Sequence, residues 1–242
     1  MSKLITTSEA NAIFATLQAP TISSLESCVD TVSRQKKLAV GQVLALAQDA
    51  DGCTVLHIAA MHGLTSVLEY YDRHFALQPG LYRGLLNERN KMRDTPLHFA
   101  AKRSQTAFII ALHSRMGDND TTTNNNKNNF ASTPGAFGFT ALHYAARASD
   151  TDLCAFLVRD MGADADARSL SGDTALHLAA HADDLDTVAR LLALGASPEV
   201  TNCAGRRPVV VDREGAGVII VASLPRHIER RTRRAYPAIP GP

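Results

Sequence analysis

Residues 172–180 read Gly-Asp-Thr-Ala-Leu-His-Leu-Ala-Ala, and closely similar stretches recur along the chain. Residues 52–60 read Gly-Cys-Thr-Val-Leu-His-Ile-Ala-Ala, and residues 138–146 read Gly-Phe-Thr-Ala-Leu-His-Tyr-Ala-Ala. A fourth copy at residues 93–101, Arg-Asp-Thr-Pro-Leu-His-Phe-Ala-Ala, has arginine in place of the glycine. The four threonines are 41, 45 and 34 residues apart. Self-similarity at such a period indicates a repeat array.

Each copy predicts a turn followed by a short helix. The glycine suits a turn with positive φ, and the threonine is a favoured helix N-cap. We expect the threonine hydroxyl to bond a backbone N–H of the first helical turn. The Leu-x-x-Ala-Ala spacing places leucine and alanine on one helical face, and the small alanines let a neighbouring helix approach closely. One such helix cannot bury this face alone, so we expect the copies to stack.

The composition is that of an ordinary globular protein. Of the 242 residues, 45% are hydrophobic and 20% are charged, and the formal net charge is +1. This charge gives no general attraction to nucleic acid, so a nucleic-acid partner is not expected. The chain has no apolar run long enough to span a membrane and no N-terminal signal pattern. These features predict a soluble intracellular protein of the cytoplasm or nucleus.

Residues 1–48 are predicted to form an N-terminal helical cap. Helical patterns start at Thr7 or Ser8, near residue 24 and near residue 38. Their outer side is polar and rich in serine, as the end of a repeat array requires. The four cysteines, Cys28, Cys53, Cys154 and Cys203, have neither metal-site nor disulfide spacing. We interpret them as free, buried thiols in a reducing compartment.

The repeat array is placed at residues 49–210. The four recognisable repeats lie near residues 49–86, 90–116, 137–168 and 169–201, and a degenerate fifth copy lies at 202–222. The first repeat includes an extra segment, residues 81–86, which follows a break in the chain at Pro79-Gly80. This segment explains why the first period is longer than about 33 residues, the usual repeat length of arrays with this motif.

The fifth copy keeps the phase of the array only at its start. Gly205 and Pro208 stand where the repeat expects them, but Val209 and Val210 replace the Leu-His pair. Residues 218–221, Val-Ile-Ile-Val, favour a β-strand. We therefore expect a degenerate cap at this end.

Two segments are predicted to be disordered. The insertion at residues 117–136 is rich in asparagine and threonine and cannot bury apolar surface. The tail at residues 223–242 carries five arginines and four prolines. This basic tail is either a nuclear-import or nucleic-acid patch, or simply a solvated chain end.

On these motifs the chain resembles ankyrin-repeat proteins. The match covers about residues 49–210, and its Thr-x-Leu-His-x-Ala-Ala motif occurs four times. The resemblance implies an all-α solenoid of stacked helix-turn-helix units joined by β-turn fingers. It also implies that the chain binds another protein through a concave surface, but the fold alone does not name the partner.

The four motif histidines are interpreted as structural residues. The resemblance implies that each ring bonds the turn and the neighbouring repeat; the motif residues are Thr54, His57, Thr95, His98, Thr140, His143, Thr174 and His177. His177 and His181 have the spacing of a zinc-binding helix, but Leu178 stands where that motif has glutamate. No third ligand is present in the pattern. We therefore predict no metal, no cofactor, no small-molecule substrate and no enzymatic activity.

The resemblance assigns partner contacts to the residues after Ala-Ala and to those beside the turn glycine. These positions are Met61, His62, Lys91, Met92, Asp94, Lys102, Arg103, Phe137, Phe139, Arg147, Leu170, Asp173 and His181. Lys102, Arg103 and Arg147 predict a basic stripe on adjacent helices. Phe137 and Phe139 are expected to face the same way, as alternate residues of an extended chain do. The alternative is that one phenylalanine folds back and that the charges are merely solvated.

Three functions follow from this resemblance. The first is a non-enzymatic, monomeric interaction module (adaptor, scaffold or regulator) that holds an acidic or mixed partner. The second is an inhibitor resembling the ankyrin-type regulators of Rel transcription factors, suggested by the Asp51-Gly52 opening, the Leu86-Asn87 lead-in and the long insertions. The lack of a paired-serine phosphorylation motif in residues 1–48 counts against it. The third is a targeting subunit of a catalytic complex.

Overall fold

A computed structural model of the chain describes residues 5–18, 22–116, 130–211 and 218–220. These residues belong to two compact units, Met1–Asn125 (unit 1) and Asn126–Pro242 (unit 2). The predictions of disorder for residues 117–129 and for the tail at 223–242 fall outside the described residues.

The described residues are mainly helical, which confirms the predicted all-α class. The helices of unit 1 are α1 (Thr7–Thr16), α2 (Ile22–Lys36), α3 (Val40–Leu46), α4 (Val55–His62), α5 (Thr65–Phe75), α6 (Pro79–Leu86), α7 (Pro96–Lys102) and α8 (Thr106–Met116). The elements of unit 2 are α9 (Ala141–Arg147), α10 (Thr151–Arg159), α11 (Ala175–His181), α12 (Leu185–Ala193), β1 (Val209–Val211) and β2 (Val218–Ile220). Four helix pairs, α4–α5, α7–α8, α9–α10 and α11–α12, correspond to the four predicted repeats.

The N-terminal region forms the three predicted helices, α1 to α3. The cap of α1 is Thr6 rather than Thr7 or Ser8, because Thr6 and Glu9 form a capping box. The Glu9 N–H donates to the Thr6 hydroxyl at 3.3 Å, and the Thr6 N–H donates to the Glu9 carboxylate at 2.7 Å. α2 packs against both α1 and α3, and α1 also contacts α4. The role of this region as the cap of an array stays a prediction.

The first two repeats pack helix against helix within unit 1. α4 lies against α7, and α5 lies against α8. The motif leucines Leu56 and Leu97 are buried, and so are the alanine pairs that follow them. This burial confirms the apolar face that the Leu-x-x-Ala-Ala spacing predicts.

The extra segment of the first repeat is a helix, α6, rather than a break. Pro79 occupies its first turn, where a proline needs no N–H partner. Tyr82 on α6 stacks on Phe75 of α5 with ring centroids 6.0 Å apart. The Tyr82 hydroxyl donates to Asp72 at 2.5 Å, and Arg115 of α8 donates to the same carboxylate at 2.7 Å. α6 is therefore held to the second helices of both repeats in unit 1.

The other two repeats pack in the same way within unit 2. α9 lies against α11, and α10 lies against α12. Residues 130–136 do not follow the disorder predicted for residues 117–136, because Phe130–Ser132 forms a 3-10 turn and a second one begins at Ala136. Ala131 in the first turn is buried, which gives this segment an apolar anchor.

The degenerate fifth copy ends in strands instead of helices. β1 pairs with β2 in an antiparallel register that sets Val209 opposite Ile220 and Val211 opposite Val218. β1 also lies beside α11, where the next repeat would place its first helix. The β-strand that the valine and isoleucine run favours is confirmed at residues 218–220.

The cysteines are free thiols but are not all buried as predicted. Cys53 and Cys154 are buried, Cys28 is half-buried and Cys203 is exposed. Burial raises the pKa of the Cys154 thiol to about 12, so this thiol stays protonated. Cys203 lies in the turn of the fifth copy at a position equivalent to Leu170 of the preceding turn, and both residues are exposed.

Candidate functional site

Five loops closed by the same backbone hydrogen bond precede the first helix of each repeat and β1, and they correspond to the predicted β-turn fingers. They are finger 1 (residues 49–53), finger 2 (90–94), finger 3 (135–139), finger 4 (169–173) and finger 5 (202–206). In each, the N–H of the first residue donates to the carbonyl of the fifth at 2.8–3.0 Å. In four of them the first side chain also accepts a backbone N–H within the turn; these residues are Asp49, Asn90, Ser169 and Asn202.

Neighbouring fingers within a unit are hydrogen-bonded to each other. In unit 1 the Lys91 N–H donates to the Asp51 carbonyl at 2.9 Å. In unit 2 the Leu170 N–H donates to the Phe137 carbonyl at 2.9 Å. Gly138 beside this bond has φ +74°, and a Cβ on it would lie only 2.8 Å from the Leu170 nitrogen. Glycine is therefore required here by both the backbone conformation and the close approach.

The motif histidines connect each helix start to the next finger. In all four copies Nδ1 accepts the N–H of the motif threonine at 3.1–3.2 Å and lies 2.8–2.9 Å from its hydroxyl. Because Nδ1 accepts a backbone N–H, Nε2 carries the proton. The Nε2–H of His57, His143 and His177 then donates at 3.0 Å to the carbonyls of Asp94, Asp173 and Arg206.

This geometry corrects one detail of the expected helix cap. The threonine hydroxyl bonds the histidine ring, and not primarily a backbone N–H of the first turn. Burial lowers the pKa of His57 and His143 below the ordinary value of 6.5, in keeping with their neutral rings. The part of the chain that the structure describes contains no cluster of histidine, cysteine, aspartate and glutamate suited to a metal ion.

The structure places most of the predicted contact residues on the surface. The exposed ones are His62, Lys91, Met92, Lys102, Arg103, Phe137, Arg147, Leu170 and His181, and the half-buried ones are Met61, Phe139 and Asp173. Asp94 is buried, contrary to its predicted place at the surface. Its N–H donates to Asn90 Oδ1 at 2.9 Å, and its carbonyl accepts the His57 ring, which holds it inside the turn.

Phe137 and Phe139 do not face the same way. Phe137 has φ +57°, so the chain turns at this position instead of extending. Its side chain is 68% exposed. Phe139 instead stacks on the His143 ring with centroids 5.3 Å apart and meets the Tyr144 ring edge-on. One phenylalanine thus folds back, but onto its own helix.

Phe137 and Leu170 are the large apolar side chains that are exposed on the fingers of unit 2, among the residues that the structure describes. Leu170 is 79% exposed, and its finger is bonded to that of Phe137 through the backbone hydrogen bond described above. We call these two residues the fingertip pair. The sequence indicated each residue as a contact position but did not reveal that they are neighbours.

The three residues of the predicted basic stripe are all exposed. Lys102 and Arg103 follow α7 in unit 1, whereas Arg147 ends α9 in unit 2. A common stripe on adjacent helices stays a prediction.

A groove of about 460 Å³ lies between α11 and the segment formed by finger 5 and the two residues after it. We call it the finger-5 groove. Its lining comprises His177, Leu178 and His181 of α11, the residues Arg206, Arg207 and Pro208, and also Asp173 and Asn202. The sequence analysis missed the arginines and proline as site residues, although the phase of Gly205 and Pro208 was the signal that a finger exists there.

Asp173, a carboxylate that lines this groove, is already hydrogen-bonded. Ser171 donates to it at 2.6 Å and Asn202 donates at 2.7 Å. Partial burial disfavours the charged carboxylate, but these two hydrogen bonds outweigh burial and hold the pKa of Asp173 below its ordinary value. Asp173 is therefore anionic, and both of its oxygens have donors.

Comparison with known families identifies one matching family model. The model described as "Ankyrin repeats (3 copies)" matches residues 74–169 and 108–202, a span of more than half the chain. No curated protein matches the chain significantly. Among the helices that the structure describes, none combines the length and the apolar character needed to cross a membrane.

Proposed function

Because the chain belongs to the ankyrin-repeat family, whose repeats generally serve protein–protein interaction, we propose that it is a non-enzymatic binding module for another protein. We place it inside the cell, in the cytoplasm or nucleus, as a monomer that acts as an adaptor, scaffold or regulator. Its contact surface comprises the fingers and the exposed ends of the first helices.

The fingertip pair is the observation that carries this proposal. Phe137 and Leu170 hold large apolar side chains in solvent at 68% and 79% exposure. Adjacent exposed apolar groups commonly mark interaction sites. Burying each side chain against a partner would contribute about 1.5–3 kcal/mol. Their fingers are bonded to each other, so little backbone conformational freedom is lost on binding.

The test is capture of partners by the full chain followed by affinity measurement with the purified partner. We expect Phe137→Ala combined with Leu170→Ala to weaken binding by at least about a hundredfold, because the two burials together contribute about 3 kcal/mol or more. Leu77→Ala is the matched control, since Leu77 is 96% exposed but lies outside the fingers. A partner bound equally well by both variants would contradict the proposal. Multiple-turnover chemistry by the isolated chain would contradict its non-enzymatic part.

The identity of the captured protein separates the three functions. A Rel transcription factor would support the inhibitor, a catalytic subunit would support the targeting role, and any other protein would support the general adaptor. The helix pair α7–α8 and the inserted helix α6 are compatible with all three functions.

A further inference from the structure

We infer that the finger-5 groove binds an acidic segment of the partner protein that also carries an apolar side chain. The inference rests on the proposed function and names the chemistry of one part of its surface. The groove volume of about 460 Å³ lies within the range of sites that hold ligand groups. All eight residues that line it belong to unit 2.

The charge that recognises the acidic segment comes from Arg206 and Arg207. Both are exposed, and the Arg206 guanidinium makes no hydrogen bond or ion pair within the part of the chain that the structure describes. Arg207 pairs with Glu199 at 2.9 Å, but the two side chains are 50% and 56% exposed. Such a solvated ion pair contributes little and is readily exchanged for a carboxylate of a partner. Arginine can bind that carboxylate through two parallel hydrogen bonds.

Two carboxylates offset part of this charge. Glu199 pairs with Arg207, and Asp173, which lines the groove, accepts hydrogen bonds from Ser171 and Asn202. The positive charge offered to an incoming segment is therefore that of the Arg206 guanidinium, joined by Arg207 when its solvated pair with Glu199 exchanges.

The backbone that carries Arg206 is held in place before any partner arrives. The Arg206 carbonyl accepts the N–H of Asn202 at 2.9 Å and the His177 Nε2–H at 3.0 Å. The Arg206 N–H donates to Asn202 Oδ1 at 3.1 Å. A fixed backbone lowers the entropy lost when a partner binds.

Leu178 and Pro208 form the apolar part of a lining that is otherwise polar, and they define the second feature of the segment. Leu178 is half-buried and Pro208 is buried, so Leu178 offers most of the hydrocarbon surface close to the arginines. No phenylalanine, tyrosine or tryptophan lines the groove among the described residues. Because single-stranded nucleic acid is usually bound by stacking bases on such rings, the lining favours a protein segment.

The experiment measures binding of fluorescently labelled peptides to the full chain. The probe alternates glutamate and leucine, and the matched peptide has glutamine in place of glutamate. We expect the glutamine peptide to bind about tenfold more weakly, and the affinity of the glutamate peptide to fall as salt is added. Arg206→Glu should weaken the glutamate peptide about tenfold, with Arg206→Gln intermediate. Arg159→Glu is the control, because Arg159 is an exposed arginine at the end of α10 that does not line the groove.

Several outcomes would overturn the inference. These are failure of the glutamate peptide to bind, equal binding of both peptides, and equal losses in Arg206→Glu and Arg159→Glu. Tighter binding of a thymidine oligonucleotide, lost in Arg206→Glu, would assign the groove to nucleic acid instead. The fingertip variant separates the two ideas. If that variant loses the captured partner while the peptide fails to bind, only the groove assignment is wrong.

Discussion

Fingers 4 and 5 close with the same backbone geometry, yet a helix follows the first and a strand follows the second. In finger 4 the Ser169 N–H donates to the Asp173 carbonyl at 2.9 Å, and in finger 5 the Asn202 N–H donates to the Arg206 carbonyl at 2.9 Å. After these turns the chain enters α11 and β1 respectively. The turn therefore does not dictate the element that comes after it.

The difference lies in the residues just past the turn. Finger 4 continues into Thr174 and His177, and the histidine ring accepts the threonine N–H at the start of the helix. The equivalent positions after finger 5 are Arg207 and Val210, which offer no such ring. Three successive valines then favour extended backbone. Turn and helix are thus specified by separate sets of residues, and the array ends where the second set is missing.

The turn glycines of the two fingers give the largest expected contrast. Gly172 has φ +76°, and a Cβ there would lie 2.8 Å from the Cys203 nitrogen. Gly172→Ala should therefore lower the free energy of unfolding by about 3 kcal/mol through strain and the forced separation of the fingers. Gly205 has φ +70° but no atom within 4 Å of that Cβ position. Gly205→Ala should cost only about 1 kcal/mol from the left-handed conformation.

Urea unfolding followed by circular dichroism measures both variants. Gly205→Ala is the internal control, because it shares the backbone conformation and lacks the close approach. Equal losses of unfolding free energy in the two variants would show that the close approach of finger 5 does not restrict the residue at position 172.

The histidine that links the two fingers should have the next largest effect. His177→Leu keeps a similar apolar volume but leaves the Thr174 N–H and the Arg206 carbonyl without their ring partner. We expect unfolding to become easier by about 2 kcal/mol, as for loss of buried hydrogen-bond partners. Hydrogen exchange of the amides of finger 5 should also speed up. Unchanged exchange there would contradict the role of His177 as the link to finger 5.

The smallest expected effect is a pH dependence that the first and third repeats have and the fifth copy lacks. Burial lowers the pKa of His57 and His143 below 6.5, so the unfolded chain takes up protons at a higher pH than the folded chain. Their stabilisation is complete above pH 6.5 and is lost as the pH falls from 6.5 towards the lowered folded pKa values. Val210 stands at the equivalent position of the fifth copy and contributes nothing to it.

Urea midpoints of unfolding measured across this pH range test whether stability falls with pH as expected. The His57→Leu and His143→Leu double variant should show a flatter decline below pH 6.5 than the unaltered chain, although it is less stable throughout. An equally steep decline in both proteins would assign the effect to other groups.

The sequence predicted the helix starts better than it predicted the surface. Thr95 and His98 stand three residues apart, and the bond between the Thr95 N–H and the ring depends on little beyond that spacing. In contrast, Asp94 was expected at the surface and is buried, and Phe139 was expected beside Phe137 and stacks on His143 instead. Each of these outcomes depends on a turn conformation or a neighbouring ring that no single motif contains.

The repeat count, the all-α class and the positions of the turns could be read from the chain, because the interactions that form them join residues within one motif. Packing between elements settled the rest. It brought Asp72, Tyr82 and Arg115 together from three helices, made neighbours of Phe137 and Leu170, and set Arg206 opposite His177. Such contacts join residues far apart in the chain, so their geometry follows from how the repeats stack and not from local sequence.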